Sequence, residues 1–333
     1  MERVLIIAEA GVNHNGKLDL AYKLCDAAKE AGVDIIKFQT WNTDWVITKN
    51  TRMAEYQAEN LSSSESQYEM LKKLELSYAH FRMVKEHCDN IGISFLSTAD
   101  ERESLDFLIE MGIDLVKLGS GEITNIPYLR YVGGLNLPVI LSTGMSNLAQ
   151  VATAYDTLVN AGAKDISILH CTTNYPCPMD EVNLKAMCTL RDAFKCPVGY
   201  SDHTMGTEVS VAAAALGAEI IEKHFTLDRT MVGPDHKASL EPAELKMMVQ
   251  QIRNIEYALG DGIKRPNRSE VENAKVVLKS ILAKRPIKKG EYLTSDNLVV
   301  KRASSGISAA HWDIVIGTKA LFDYEIDDPI KLY

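Results

Sequence analysis

The chain has 333 residues, a formal net charge of −9 and 46% hydrophobic residues. This length suits one large domain with a small one, or two medium domains. The negative charge argues against general binding to nucleic acid or to anionic membranes, so an anionic substrate would need a locally basic pocket. The six cysteines contain no CxxC pair, which favours reduced thiols over a disulfide framework or a zinc site. The first residues lack a signal-peptide pattern and no apolar run has membrane-spanning length, so we expect a cytoplasmic location.

Short apolar runs alternate with amphipathic segments from the N-terminus onward. The runs are rich in Val, Ile and Leu, which is typical of parallel strands covered on both faces. The predicted strands are residues 4–8, 35–38, 94–97, 115–118, 139–142, 166–170, 198–200 and 220–223. Predicted helices include residues 18–30, 81–90, 103–110, 149–160, 207–216 and 242–259. Eight strand–helix units predict an α/β fold, a closed (β/α)8 TIM barrel, with a doubly wound open sheet as the alternative.

Two stretches depart from this alternation. Residues 40–67 form a long connection, which is either a lid or binding loop, or a surface excursion or dimer contact. After residue 259 the composition changes to short strands and turns. We predict a catalytic domain at 1–262, a linker at 263–279 and a small, mostly β domain at 280–333. A domain of about 55 residues lies near the lower limit for independent stability.

Two histidines, His203 and His224, each stand at the polar end of a predicted strand. Because a helix separates these strands along the chain, we expect them to be parallel neighbours, with both imidazoles at the same edge. Such a pair can share a divalent cation of the Mn, Fe, Co, Ni or Zn type. The alternative is that each histidine is a hydrogen-bonded core residue.

Other polar side chains follow the remaining strands. Chemistry in a TIM barrel lies at the carboxyl ends of its strands, and this edge contains Lys37 and Lys117 among several Ser and Thr residues. Buried lysines need anionic partners, so the pair suggests a bound phosphate or carboxylate. The alternative for each lysine alone is a pairing with Glu9 or Glu122. The whole set predicts a metal site beside a small phosphorylated anion.

These residues resemble the bacterial N-acetylneuraminate (sialic acid) synthase family, which includes legionaminic acid synthases. The resemblance covers nearly the whole chain. It lies in the segments AEAGVNHNG (8–16), KFQT (37–40), KLGSGE (117–122), LSTGM (141–145), HCTTNYP (170–176), SDHT (201–204), EKHFT (222–226) and GPDH (233–236). The segments IKKGE (287–291) and KR (301–302) resemble the family's C-terminal antifreeze-like (SAF) domain.

The resemblance implies a metal-dependent condensation of phosphoenolpyruvate with an N-acetylated hexosamine. The acceptor would be N-acetylmannosamine or a 2,4-diacetamido-6-deoxy analogue, and the products a nonulosonic acid and phosphate, formed by C–O cleavage. The implied metal is Mn(II), with Mg or Co possible, and its ligands are His203 and His224. Phosphoenolpyruvate would be held by Lys37, Thr98, Lys117, Ser120, Ser142 and Ser201, with Thr173 nearby. The sugar would be held by Glu9, Asn60, Tyr175 and Asp235. Glu122 would activate the water. Arg302 would reach the sugar's amide from the partner subunit of a domain-swapped homodimer.

The chain also departs from the family pattern. Many relatives carry Ser-Thr-Pro-Phe where this chain has Ser-Thr-Ala-Asp at 97–100, and many carry Lys-Arg-Pro-Gly where it has Lys-Arg-Ala-Ser at 301–304. Both changes lie near the expected sugar side, so they leave the acceptor open. Three other functions also stay open: a different phosphoenolpyruvate-dependent keto-acid synthase, a Schiff-base aldolase with Lys117 as nucleophile, and a non-catalytic carbohydrate-binding protein.

Overall fold

The computed structural model describes residues 3–61 and 65–333. The chain divides into two compact units, Met1–Gly260 and Asp261–Tyr333. Within the described residues, none of the helices is long and apolar enough to cross a membrane.

The first unit is built on eight parallel strands. They are β1 (Leu5–Gly11), β2 (Ile35–Thr40), β3 (Ser94–Ala99), β4 (Val116–Leu118), β5 (Val139–Ser142), β6 (Ile166–Cys171), β7 (Val198–Asp202) and β8 (Ile220–His224). Their order is β3-β2-β1-β8-β7-β6-β5-β4, and β3 lies against β4 where the two ends of the sheet meet. The predicted TIM barrel is confirmed.

The first unit also has helices between and after these strands. They are α1 (Leu18–Ala31), α2 (Thr43–Val46), α3 (Glu55–Leu61), α4 (Gln67–Leu74), α5 (Tyr78–Ile91), α6 (Arg102–Glu110), α7 (Ile126–Gly133), α8 (Leu148–Ala161), α9 (Lys185–Phe194), α10 (Glu208–Ala215) and α11 (Pro242–Leu259). Gly32 and Gly92 end α1 and α5 in the left-handed conformation, which glycine adopts without strain.

The barrel interior begins with an apolar layer. It consists of Ile7, Ile35, Leu96, Ile140, Leu169 and Ile220, which form one buried cluster. Successive side chains of a strand point to opposite faces, so residues two positions further along point inward again. Those positions are polar on most strands, as in Glu9, Lys37 and Glu222. The strand register therefore brings distant polar residues together above an apolar floor.

The connection between β2 and α5 contains the short helices α2, α3 and α4 rather than an extended loop. Its apolar residues Trp41, Met70 and Leu74 pack with Val12 in a cluster separate from the main core. The Asn60 side chain donates a hydrogen bond to the carbonyl of Pro234, 2.7 Å away. The connection is thereby joined to the loop that follows β8.

The second unit has its own small core. It contains α12 (Arg268–Val277), the antiparallel pair β9 (Lys279–Ala283) and β10 (Leu298–Arg302), and α13 (Trp312–Val315). Isolated bridges such as Ile287–Tyr324 extend the β structure. The core residues are Ile281, Ala283, Ile287, Leu293, Leu298, Val315, Ala320, Tyr324 and Ile330. The predicted mostly-β C-terminal domain is confirmed.

Candidate active site

A cavity of about 140 Å³ opens at the carboxyl ends of the barrel strands. We call it the inner cavity. It is lined by Glu9, Lys37, Gln39, Thr98, Asp100, Lys117, Gly119, Ser120, Ser142, Cys171, Tyr175, Ser201, His203, Glu222 and His224. Residues from all eight strands or the turns after them therefore meet in one place, as the sequence predicted.

Both predicted lysines are almost fully buried in this cavity and are held by fixed partners. Lys37 Nζ lies 2.7 Å from Glu9 Oε2 and donates to Thr98 Oγ1 at 3.0 Å. Lys117 Nζ donates to Ser142 Oγ at 2.7 Å. The alternative pairing of Lys37 with Glu9 is thus realised in the structure, together with the contact to Thr98.

Glu222 lies between the two lysines. Its Oε2 is 3.6 Å from Lys37 Nζ and 3.7 Å from Lys117 Nζ, and Ser201 Oγ donates to its Oε1 at 2.7 Å. Burial alone would raise the pKa of this carboxyl, but the lysines and the serine hold it at about 2. Glu222 therefore stays ionised and holds the ammonium groups of Lys37 and Lys117 in place. A small anion in the cavity can then contact both lysines.

The two histidine rings lie at the same edge of the cavity, with centroids 5.6 Å apart. His203 Nδ1 contacts the carbonyl of Thr172 at 2.6 Å, which makes Nδ1 the protonated nitrogen and leaves Nε2 with a lone pair. His224 Nδ1 is buried, has no hydrogen-bond partner among the described residues, and lies 3.9 Å from Asp235 Oδ2. Burial lowers the pKa of both rings, so both are neutral imidazoles, the form that binds metals.

The two imidazoles fit a divalent transition metal with open positions. Among the described residues, no group of three or more His, Cys, Asp or Glu has the arrangement of metal ligands. A metal here would thus take two protein nitrogens and complete its shell with water or substrate, as metals in catalytic sites do. The unpaired Nδ1 of His224 is the observation that favours this fit.

A buried ion pair supports the strand ends that carry these histidines. Lys223 Nζ lies 3.0 Å from Asp202 Oδ2, and neither side chain is exposed. Asp202 also accepts hydrogen bonds from Thr204 and Ser210, and Lys223 donates to the carbonyl of Thr204. The chain next to each histidine is therefore fixed by fully paired buried charges.

Five predicted residues lie outside the inner cavity. Glu122 is half-buried, and its carboxylate accepts from Asn125 at 2.6 Å. Burial raises the pKa of Glu122. Thr173 Oγ1 is buried, and no hydrogen-bond partner for it occurs within residues 3–61 and 65–333. Asn60 bonds to Pro234. Arg302 is an exposed residue of β10 in the second unit.

The fifth, Asp235, lines a second cavity of about 180 Å³, which we call the outer cavity. Its lining is Val12, Gln39, Gln57, Met70, Leu71, Leu74, Tyr175, His224, Pro234 and Asp235. Gln39, Tyr175 and His224 border both cavities. A ligand beside His224 is therefore able to extend outward under the helical connection.

Sequence reasoning placed Gln39 at the strand ends beside Lys37 without a role, and it missed Glu222 and Asp100, two further polar residues of the inner cavity. Gln39 donates to Glu9 Oε1 at 2.9 Å, and Glu222 pairs with both lysines. Asp100 lines the cavity where the chain departs from the family pattern. For Glu222 the available signal was strand periodicity, because this residue stands two positions before His224 on the same strand.

Comparisons with known proteins identify the family of this chain. The NeuB family model matches residues 24–264, and the SAF domain model matches residues 279–332. N,N'-diacetyllegionaminic acid synthase of Campylobacter jejuni is 50% identical over 99% of this chain and 100% of its own length. The enzyme of the same name from Legionella pneumophila is 46% identical over 94% of this chain and 89% of its own length.

A solved structure is also similar to this chain. The N-acetylneuraminic acid (sialic acid) synthetase of Leptospira borgpetersenii, in complex with citrate, superposes with a TM-score of 0.72 and 35% identity. The match covers 82% of this chain and 91% of that one. The prediction of an N-acetylneuraminate synthase-like enzyme is confirmed by these matches. The chain belongs to the NeuB family, with a C-terminal SAF domain.

Proposed function

We propose that this enzyme condenses phosphoenolpyruvate with an N-acetylated aminosugar to give a nonulosonic (sialic-type) acid and phosphate. The observation that carries the proposal is the pair of buried lysines, Lys37 and Lys117, held around Glu222 directly beside the two neutral histidines. Two relatives with high identity are named N,N'-diacetyllegionaminic acid synthases, which favours a 2,4-diacetamido-6-deoxy acceptor over N-acetylmannosamine. A cytoplasmic location remains a prediction.

Phosphoenolpyruvate would occupy the inner cavity. Its phosphate and carboxylate carry negative charge, which Lys37 and Lys117 would neutralise with charge-assisted hydrogen bonds. The hydroxyls of Thr98, Ser142 and Ser201 surround the same space. We assign the predicted contacts of Ser120 and Thr173 to the same substrate. The acceptor sugar would lie beside Glu9 and Tyr175 and extend toward Asp235.

His203 and His224 would hold the metal, for which Mn(II) is our proposal and Mg or Co are alternatives. When bound, the ion would act as a Lewis acid that polarises the carbonyl of the open-chain sugar. The two histidines are suited to this role because burial keeps them neutral and the strand register holds them side by side.

The protein's carboxyl groups would move the protons. Carbon 3 of phosphoenolpyruvate attacks the sugar carbonyl carbon, and the carbonyl oxygen takes a proton, which we assign to Glu9. Carbon 2 becomes cationic, and the ionised Glu222 stabilises that charge. Water then adds to carbon 2 and gives its proton to Glu122, whose raised pKa makes it a better base. The new hydroxyl on carbon 2 then forms the keto C=O bond and gives its proton to the leaving phosphate, while the bond between carbon 2 and the bridging oxygen breaks and its electron pair leaves with phosphate.

A labelling experiment tests this function. The protein is incubated with Mn(II), an acceptor panel and phosphoenolpyruvate that carries heavy oxygen at the bridging position. We expect phosphate release only with N-acetylated hexosamines, and the label in the phosphate. Label retained in the keto acid would exclude C–O cleavage. Trapping of the protein by borohydride with pyruvate, without metal, would point instead to a Schiff base on Lys117.

We also propose that Arg302 completes the active site of the partner chain in a domain-swapped homodimer. A guanidinium offers several fixed donors to an amide carbonyl, so Arg302→Ala should raise the KM for the sugar more than that for phosphoenolpyruvate. The variants His203→Ala and Arg302→Ala are mixed in equal amounts after reversible unfolding and assayed at a sugar concentration so low that neither variant alone is active. Statistical pairing should restore roughly a quarter of wild-type activity, because one site of each mixed dimer is intact. No recovery after proven subunit exchange would refute the shared site.

A further inference from the structure

The outer cavity has both polar and apolar lining residues. The polar residues include Gln39, Gln57 and Asp235. The apolar residues include Val12, Met70, Leu71 and Leu74, which pack in one hydrophobic cluster. We call these four residues the apolar wall. A ligand that fits this cavity must itself carry both polar and apolar groups.

The apolar wall is a fixed surface. Val12, Met70 and Leu74 are 5%, 3% and 8% exposed and form one cluster with Trp41. Leu71 is half-buried and packs against this cluster from its edge. Because its neighbours hold it from behind, the wall is already formed before any ligand arrives. Preorganised surfaces of this kind bind apolar groups without an ordering cost.

The position of the outer cavity indicates which substrate would contact the apolar wall. The inner cavity, of about 140 Å³, has room for one small anion, equivalent to roughly five waters. The outer cavity adjoins it at Gln39, Tyr175 and His224. If the carbonyl carbon of the acceptor reacts beside His224, the rest of the acceptor has to extend into the outer cavity.

We propose that the apolar wall is the specificity pocket for methyl-bearing substituents of the acceptor sugar, and that it selects a 2,4-diacetamido-6-deoxy hexosamine over N-acetylmannosamine. This inference rests on the proposed function. The first sugar has three methyl groups, two in acetyl groups and one at carbon 6, whereas N-acetylmannosamine has a single methyl group and a polar carbon-6 hydroxyl. The amides of the sugar would face Gln39, Gln57 and Asp235. Each methyl group placed in an apolar pocket discriminates roughly 10-fold or more.

The test compares kcat/KM for these two acceptors in the full-length, Mn(II)-loaded protein. Leu71→Asn keeps nearly the same shape but makes this part of the wall polar. We expect it to lower kcat/KM for the diacetamido sugar by roughly 10- to 100-fold and that for N-acetylmannosamine by less than about threefold. Leu71→Met keeps the wall apolar and should retain the wild-type preference. The KM for phosphoenolpyruvate should not change in either variant.

A second pair of variants separates the wall from the stability of the cluster. Val12→Thr and Val46→Thr make the same isosteric change in the same apolar cluster, but only Val12 lines the cavity. Val12→Thr should reduce the preference for the diacetamido sugar, whereas Val46→Thr should leave the preference as in wild type. Thermal unfolding of all four variants confirms that the measured samples are folded.

The outcomes distinguish this inference from the proposed function. If wild-type protein releases no phosphate from phosphoenolpyruvate with either sugar, the proposed function is wrong and the inference falls with it. If wild type is active but Leu71→Asn and Val12→Thr keep the wild-type preference, only the assignment of the wall is wrong. Equal losses for both sugars would also overturn the assignment, because a selective pocket must affect the methyl-rich sugar more.

Discussion

Two layers of side chains fill the barrel interior, and they differ in chemistry although the same strands supply both. The lower layer is apolar, as in Ile7 and Ile220. Two residues further along the same strands, the upper layer has Glu9 and Glu222. The lower layer excludes water and needs no partners. In the upper layer, each charged group requires a counter-charge or hydrogen bonds, because burial of an unpaired charge is costly.

The difference shows how one strand register serves two purposes. The apolar layer contributes to stability through burial and close packing. At Gly199, a Cβ atom would come within 2.2 Å of the Ile220 carbonyl oxygen, so only glycine fits this point of the floor. The upper layer contributes less to stability but places Lys37 and Lys117 on a rigid base. We therefore expect substitutions in the upper layer mainly to reduce activity, and substitutions in the lower layer mainly to reduce stability.

The largest effect is expected at the histidines of the upper layer. His203→Ala or His224→Ala should lower kcat by about 100-fold or more, because a Lewis acid supplies several kcal/mol of transition-state stabilisation. Titration of each variant with Mn(II) should show weakened binding. His170→Gln is the matched control, since His170 contacts the Val182 carbonyl outside the inner cavity and should leave metal dependence intact. Full activity in excess chelator would contradict the metal site.

The lysines should show a smaller loss that is specific to phosphoenolpyruvate. Lys117→Met removes a charge-assisted contact, so kcat/KM for phosphoenolpyruvate should fall by roughly 10- to 100-fold. The double variant Lys117→Met/Glu222→Gln removes both members of a buried pair. It should recover part of the stability lost in the single variant but none of the activity. Recovery of activity would mean that the lysine only neutralises Glu222.

A substitution in the lower layer should have the reverse profile. Ile140 is 2% exposed, and Ile140→Ala leaves a cavity beneath Ser142. We expect a loss of about 2–5 kcal/mol in the free energy of unfolding, measured with urea. The KM values should stay within about twofold of wild type. A large fall in kcat without a loss of stability would show that the floor of the barrel takes part in the reaction.

Most of the barrel followed from sequence because its strands are continuous apolar runs. The apolar pattern ended the predicted strands too early. For example, the predicted first strand ended at residue 8, whereas β1 continues to Gly11. Polar residues there remain in the ladder, since Glu9 pairs with Lys37 and with His224 in the strand register. Periodicity of apolar residues cannot detect strand positions whose side chains serve the site.

Other elements lacked a periodic signal. The eight strand–helix units implied α7 and α9, but the apolar pattern defined no bounds for them; α7 begins with a proline in its first turn and is only eight residues long. The connection after β2 contains three short helices, because local caps such as the Ser66 capping box start a helix without a long amphipathic pattern. The partners of Glu222 and the exposure of Asp100 to the cavity depend on distances across the barrel, which no local pattern specifies.

The smallest expected effect concerns Asp100 at the rim of the upper layer. Burial, with the carboxylates of Glu122 and Glu101, raises its pKa to about 7, and the attraction of Lys37 does not offset this. Within residues 3–61 and 65–333, its carboxylate accepts no hydrogen bond. The folded protein therefore holds the proton more tightly than the unfolded chain, whose Asp pKa is close to 3.8. The stability contributed by this group is present below the unfolded pKa and is lost as pH rises to about 7.

Asp100→Asn removes this titration and keeps the shape of the side chain. The difference in Tm between Asp100→Asn and wild type should therefore become more positive between pH 5 and pH 8, by a few degrees at most for a domain of this size. Asp114→Asn removes an exposed carboxylate before β4 and controls for net charge. A Tm difference that does not change with pH would show that Asp100 is ionised at little cost in the folded protein.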